Sequence, residues 1–338
     1  MKLYAGIDLH SNNSVLAVID EEGTLKWRQR MANDLIEIAA ALEPYRDALQ
    51  GIAVESTYNW YWLVDGLMDR GYRVHLVNTA AVPQYEGLKH GDDHSDARHL
   101  AQLLRLGILP EGFIYPREDR ALRDVLRRRF QLVRQAVLLM HSVQSTAARV
   151  NGESFPANAF KQLTPQGRSE RFADPWVRRG VEAQCRVWQC AQQQVDALER
   201  ELLMELKPRT GLVHLRSVPG IGSILGLTIL LETGPIERFA SPGDYASYCR
   251  LVKSERLSNG KKKGEGNRKA GNRYLAWAYI EAANFAIRYS AQVKRWYERK
   301  AARGLRVIAL KAVAHKLARA CFYCLRDGVD FNVQRAFG

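Results

Sequence analysis

The run Leu3-Tyr4-Ala5-Gly6-Ile7-Asp8-Leu9 constrains the fold more than any other stretch, because it is an apolar strand with one acid, Asp8, in its second half. Stripping water from a lone carboxylate is costly, so an acid there needs a donor or a cation beside it. Strand-like stretches follow at residues 14–20 and, after the turn Glu21-Glu22-Gly23-Thr24, at 25–31, which together read as a meander. A further apolar run, Gly51-Ile52-Ala53-Val54, ends in Glu55, so a second acid falls where a strand leaves the core. Residues 58–70 have helical spacing, 73–77 read as another strand, and the stretch from His90 to Arg98 opens a helix over 97–106. Asp93 and Asp96 lie three residues apart in that opening, hence on one helical face.

Three strands, then strand, helix, strand, helix, with acids on strand one, strand four and a late helix, is the order of an RNase H-like domain. Asp8, Glu55, Asp93 and Asp96 then form a carboxylate cage for a divalent cation, Mg2+ first and Mn2+ as the alternative. Mg2+ favours carboxylate and water oxygens in octahedral geometry, and a metal pair roughly 3.5–4 Å apart stabilises both oxygens of an in-line phosphoryl displacement. Each acid alone has a plainer reading. Asp8 could be a strand hydrogen-bonding residue, Glu55 a solvent-facing strand end, and Asp93 or Asp96 a helix N-cap, with Asp92 competing for the ligand role. Joint placement in one fold order favours the cage.

At 338 residues the chain has the length of about two domains, and its 46% hydrophobic content supplies sizeable cores. No uncharged apolar stretch of about 18 residues occurs, and Met1-Lys2-Leu3 runs straight into a strand, so neither membrane span nor cleavable leader is expected. Of the five cysteines, Cys321 and Cys324 form a CxxC on an apolar helix and read as core packing, for which a reducing cytoplasm suffices. The net charge of +14 points to polyanions. Lys253 to Arg273 holds eight cations against two acids, and Arg120, Arg123, Arg127, Arg128, Arg129 and Arg134 share one helix. Charge runs are ordinarily solvated faces, but two of this density in a basic chain favour nucleic acid.

The expected organisation is α/β plus α: an RNase H-like domain over 1–116, a helical coiled-coil arm over 117–206, and a mainly α-helical C-terminal domain over 207–338. The arm consists of helical segments 118–150 and 174–206, the first with Leu122, Val125, Leu126, Phe130, Val133, Val137 and Met140 on one stripe. Either an antiparallel hairpin within one chain or a coiled coil between chains would cover it, and dimerisation is the favoured reading. Pro219-Gly220-Ile221-Gly222, between two short helices, resembles a helix-hairpin-helix turn, whose backbone N–H groups hold a DNA phosphate. Its plainer reading is a glycine turn that lets two helices pack closely.

Further on, Leu257-Ser258-Asn259-Gly260-Lys261-Lys262-Lys263-Gly264 sets a serine among lysines and glycines, and Lys269-Ala270-Gly271-Asn272-Arg273-Tyr274-Leu275 leads into a helix. Together with Gly6-Ile7-Asp8, the Glu55 strand, Asp93-x-x-Asp96-Ala97 and Pro219-Gly220-Ile221-Gly222, these motifs make the chain resemble, nearly end to end, the IS110 insertion-sequence transposases, a group that includes the Piv-type DNA invertases. The resemblance implies an N-terminal RuvC-like domain with a DEDD acid set, carried over as Asp8, Glu55, Asp93 and Asp96. It also implies a C-terminal transposase domain with a catalytic serine, carried over as Ser258. Two departures stand out: the family's usual Gly-Leu-x-Pro is here Arg250-Leu251-Val252-Lys253, and its usual Ser-Ser-Gly is Leu257-Ser258-Asn259-Gly260. They make Ser254 a competing nucleophile.

A serine hydroxyl is a poor nucleophile at neutral pH and needs a base, a metal or surrounding positive charge. Attack by Ser258 on a DNA phosphate would leave a phosphoserine link to one end and a free 3′ hydroxyl at the other, retaining the bond energy for rejoining without ATP. The resemblance further implies a noncoding bridge RNA that pairs with donor and target DNA, a homodimer assembling to a tetrameric synapse, and a bacterial cytoplasm with nucleoid association on DNA. Basic surfaces suit this, since backbone contacts hold a duplex while pairing reads sequence. Expected nucleic-acid contacts are Arg127, Arg128, Arg216, the backbone at Gly220 and Gly222, Arg256, Lys261, Lys262, Lys263, Arg268, Lys269 and Arg273. His90, His94 and His99 flank the second acid pair and read mainly as polar surface, and Trp60 and Trp62 read as core packing before base stacking. Rival readings are a metal-only junction resolvase, which would not need Ser258, and a non-catalytic binding relative, against which the intact acid set argues. An actin-like kinase would show a glycine-rich phosphate loop where this chain has Asp8-Leu9-His10-Ser11.

Overall fold

The computed structural model of the chain describes residues 1–82, 93–206, 210–252, 255–258, 261–265 and 270–338, with backbone alone for 93–95, 255–258 and 262–265. Met1–Ile114 make one compact unit; Tyr115 onward, through the C-terminal helices, supplies the bulk of a second.

The first unit runs β1 (Leu3–Leu9), β2 (Asn13–Asp20), β3 (Leu25–Ala32), α1 (Leu35–Leu42), β4 (Leu49–Glu55), α2 (Tyr61–Asp69), β5 (Val74–Val77) and α3 (Asp93–Arg105). Its five-stranded mixed sheet has the order β3-β2-β1-β4-β5. The meander β1-β2-β3 is antiparallel, and β4 and β5 join β1 in parallel. Helix α1 lies where the sequence pattern predicts no element. Its start is fixed by Asp34, whose carboxylate accepts the N–H groups of Ile36 and Glu37 at 2.7 and 3.1 Å.

Strand alternation sorts the side chains onto two faces. Leu3, Ala5, Ile7 and Leu9 of β1, with Ile52 and Val54 of β4, pack with Ile38, Leu42, Leu63, Val64 and Leu67 of α1 and α2. The opposite face carries Val15 and Ala17 against Ala97 of α3, and Ala53 and Val77 against Leu100. Gly6, Asp8 and Glu55 belong by parity to the α3 side. Trp60 is buried in the α1–α2 cluster and Trp62 is partly buried against it, in keeping with core packing.

The second unit opens with α4 (Arg117–Asn151), α5 (Ala157–Gln162), α6 (Pro165–Ser169) and α7 (Pro175–Leu206). Leu126 of α4 clusters with Leu202 and Leu206, while Met140, Val143 and Ala147 cluster with Val181, Cys185 and Trp188. The arm is therefore an antiparallel hairpin within one chain, and that pairing buries Leu126 and Met140. The stripe also rotates from its expected course: Ala136 is buried, whereas Val137 is 39% exposed. Helix α4 ends at Gly152, whose left-handed φ of 70° supplies the C-cap.

Beyond the arm come α8 (Thr210–Arg216), α9 (Ser223–Thr233), α10 (Pro242–Tyr248), the two-stranded β6 (Glu255–Ser258) and β7 (Lys261–Glu265), α11 (Arg273–Tyr289), α12 (Ala291–Ala301), α13 (Arg306–Asp327) and α14 (Val333–Phe337). Their core joins Ile229, Tyr245, Tyr279, Ala282 and Phe322 with Cys321 and Cys324, so the CxxC is core packing as expected. Burial raises both thiols, Cys324 to about 11. Gly220, with φ of 87°, sits where a methyl group would overlap the Ala282 carbonyl oxygen of α11, which makes close helix approach the structural reason for that glycine.

Candidate active site

Asp8 and Glu55 come together because β1 and β4 are parallel neighbours in register. Gly6 pairs with Ala53 and Ile7 with Val54, so the next residues, Asp8 and Glu55, stand side by side at the carboxyl ends of their strands. Open sheets of this kind bind ligands at that end. Helix α3 reaches the same place through Gly6: a methyl group there would overlap the Ala97 carbonyl oxygen and crowd the Ala101 amide at 2.7 Å. The missing side chain lets the helix lie directly on the strand, with Asp96 one residue before that contact.

The electrostatics record this convergence. Burial, a hydrogen bond with Asp8, and the charges of Asp8 and Asp96 push the Glu55 carboxyl up to about 8. Glu55 thus holds the proton that the bond with buried Asp8 requires. His10 adds a contact, its Nε2 lying 3.3 Å from Asp8 Oδ2. The His10 carbonyl accepts the side-chain amides of Asn33 and Asn59, both at 3.0 Å, which ties the β1–β2 turn to the segment after β4. Asn33 and Asn59 were not singled out in the sequence; a lone amide after a strand carries no distinguishing pattern.

Of the four expected ligands, three therefore share one electrostatic neighbourhood, and Asp93 stands at the first position of α3 with its side chain outside the described atoms. Among the described residues no group of three His, Cys, Asp or Glu closes into a cation cage. The donor set still fits a hard divalent cation: it is all carboxylate oxygen, and the two strand acids compete for one proton that a cation would replace.

Ser258 is the last residue of β6 and pairs with Lys261 across the hairpin; its side chain lies outside the described atoms, and Ser254 lies outside the described residues. The flanks of the hairpin are anchored firmly. The Leu251 N–H donates to the Ala246 carbonyl at 3.0 Å, and the Asn272 N–H to the Tyr248 carbonyl at 2.6 Å. Asn272 caps α11 through the N–H groups of Tyr274 and Leu275, and its Nδ2 donates to buried Glu232 at 2.7 Å. Arg127 completes the cluster with two bonds to Glu232, Nε to Oε1 at 2.6 Å and Nη2 to Oε2 at 2.8 Å. Glu232, the acid near the end of an apolar helix, was not singled out in the sequence.

Arg250, at the entry to this segment, is the non-glycine residue with positive φ among the described residues, at 58°. Its Nε donates to the Gly271 carbonyl at 3.1 Å. The left-handed backbone explains why glycine is the expected residue in the family pattern at this position.

Residues 5–150 match the model of a DEDD-type IS110 domain described as "Transposase". Residues 213–298 match "Transposase IS116/IS110/IS902 family". The chain belongs to the IS110 family of transposases. It is 23% identical over 336 residues to the transposase for insertion sequence element IS1328 of Yersinia enterocolitica, covering 97% of this chain and 98% of that one. It is also 25% identical over 331 residues to a putative transposase of Sinorhizobium fredii, covering 94% of this chain and 80% of the relative. An uncharacterized 43.6 kDa protein of insertion element IS110 from Streptomyces coelicolor is 28% identical over 149 residues, 43% of this chain and 36% of that protein.

As an IS110-family transposase the chain is a DNA-cleaving and recombining enzyme, and its DEDD domain points to dependence on a divalent metal. The remaining expected contacts fall as follows in the transposase. Arg128, Arg216, Lys261 and Arg273 are exposed, as is Gly222 at the start of α9. The side chains of Arg256, Lys262 and Lys263 lie outside the described atoms, and Arg268 and Lys269 outside the described residues. Arg127 is committed to Glu232. The arginine cluster of α4 is largely structural: Arg120 Nε donates to the Tyr115 carbonyl at 2.6 Å, Arg123 stacks 3.7 Å from the Tyr115 ring centroid, and Arg129 pairs with Glu199. Among the described residues no helix is long and apolar enough to cross a membrane.

Proposed function

We propose that this transposase cuts and rejoins DNA through a phosphoserine link at Ser258, with the carboxylates of a RuvC-like domain holding Mg2+. The observation that carries the reading is the register of β1 and β4, which sets Asp8 beside Glu55 at the strand ends, where the neighbouring acids and burial push the Glu55 carboxyl up to about 8. Structural acids are ordinarily paired with cations or donors, whereas acids brought against acids mark a site built for something else. The strand order β3-β2-β1-β4-β5 with its acids on β1, β4 and α3 supports the RuvC-like assignment.

In this account Asp8, Glu55, Asp93 and Asp96 hold the cation. Bound there, Mg2+ would supply Lewis acidity and charge neutralisation to the scissile phosphate. His10 positions Asp8. The Ser258 oxygen attacks phosphorus, its proton passes to a base, and the 3′ oxygen leaves and takes up a proton. The hairpin's lysines offset the charge that builds on the phosphate. Rejoining reverses the step with a new 3′ hydroxyl. A structured noncoding RNA guides donor and target pairing, and two dimers form the synapse.

The test incubates protein, candidate guide RNA, donor DNA and Mg2+, then resolves products on a denaturing gel. Wild type gives a protein–DNA adduct, and Ser258→Ala and Asp8→Ala each abolish it. A Ser258→Ala protein that still nicks DNA would instead favour the metal-only nuclease.

A further inference from the structure

The C-terminal helices line an open pocket of about 540 Å³ on the second unit. That is within the several hundred Å³ typical of ligand sites. Its wall carries His315, Lys316, Arg319 and Tyr323 from α13, Phe331 from the following segment, and Arg335 from α14. One acid lines it, Asp330, and that carboxylate already lies 2.9 Å from His214 Nδ1.

Lys316 is anchored within this wall. Lys316 Nζ donates to the Ala336 carbonyl at 2.7 Å and sits over the Trp296 ring at 5.3 Å. Burial and the charges of Arg319 and Lys316 pull His315 below its ordinary value, and burial and Arg319 do the same to Lys316. Among the described residues, no carboxylate forms an ion pair with His315, Lys316 or Arg319. Arg335 stands 5.9 Å from the Tyr323 ring centroid, which puts a guanidinium beside an aromatic face. Lys316 and Arg319, which repel one another, together with Arg335 beside the partly exposed rings of Tyr323 and Phe331, complement a phosphate with a flat base attached, the pairing used to hold unpaired nucleic-acid strands.

We infer that this pocket is a nucleotide site, taking a phosphate on Arg319, Arg335 and Lys316 and a base against Tyr323 and Phe331, supplied by a single-stranded segment of nucleic acid. Its described lining residues include neither Ser258 nor Ser254, so it is tested in the Ser258→Ala background. A free nucleotide shares the same chemistry, and the assay separates the two sources.

Full-length Ser258→Ala protein is mixed with a short single-stranded oligonucleotide carrying 4-thiothymidine, irradiated, digested and mapped by mass spectrometry. The expected crosslink lies within residues 306–338. In parallel, fluorescence anisotropy compares Arg319→Ala/Arg335→Ala with Arg299→Ala, which removes an exposed charge from α12. The double variant binds about tenfold more weakly with a shallower salt slope, and the control changes little. Competition by dAMP at equal nucleotide concentration would assign the site to free nucleotides, and absence of competition assigns it to a strand. No crosslink in 306–338, or equal losses in the double variant and the control, overturns the inference.

Discussion

Glu55 offers the sharpest prediction. With its carboxyl at about 8, the side chain is ionised in about one molecule in ten at pH 7 and one in a hundred at pH 6. A cation that binds the acid cluster must displace that proton. Its apparent affinity should therefore rise roughly tenfold for each pH unit up to about 8 and level off above it. Mn2+ titrated calorimetrically between pH 6 and 9 reads this directly, with Glu55→Gln as the comparison: weaker binding and a flat profile over the same window. Stability moves in the opposite sense without metal. The folded carboxyl keeps a proton that the unfolded one releases near 4.5, so the stabilising contribution is complete below that pH and is lost as pH rises through about 8. The metal-free melting temperature should fall across this range, and Mg2+ at pH 8 should restore it. A wild-type affinity that varies less than about twofold between pH 6 and 8 would refute the reasoning.

Other predictions concern the scaffold around the two candidate centres. Glu232→Ala leaves the Arg127 charge half-buried without its partner and should cost about 3–5 kcal/mol in denaturant unfolding. At the hairpin entry, Arg250→Gly should be more stable than Arg250→Ala by about 1 kcal/mol, because alanine keeps the left-handed strain and loses the bond to Gly271; equal melting temperatures would contradict this. Gly6→Ala forces α3 off β1 and should cost roughly 1–3 kcal/mol while separating Asp96 from Asp8 and Glu55, so Mn2+ binding is lost in the fraction that remains folded.

Much of the first unit was legible because strand alternation and the strand acids answer to short-range rules. Leu3–Leu9, Asn13–Asp20 and Leu49–Glu55 form where apolar runs announce them, and register then brings Asp8 beside Glu55. Helix α1 escaped notice because eight residues give little periodicity, and its signal rests on the single cap Asp34. The arginines of α4 misled for a different reason. Charge patterning treats every arginine as solvated, yet Arg120, Arg123 and Arg127 turn inward to a carbonyl, a ring and a buried carboxylate that are distant in sequence. The Ser258 motif was legible as a family pattern, but the anchoring of its flanks through Asn272 and Glu232 depends on helices α4, α9 and α11 meeting, which no local pattern encodes.

The central claim is that Ser258 forms the covalent link to DNA in an acid-dependent step. Mass spectrometry of the nuclease-trimmed adduct tests it most directly. The account predicts a nucleotide phosphate attached to the Ser258 oxygen, formed in wild type and missing from Asp8→Ala. A phosphate mapped to Ser254 or any other side chain, or an adduct that persists in Asp8→Ala, would contradict it.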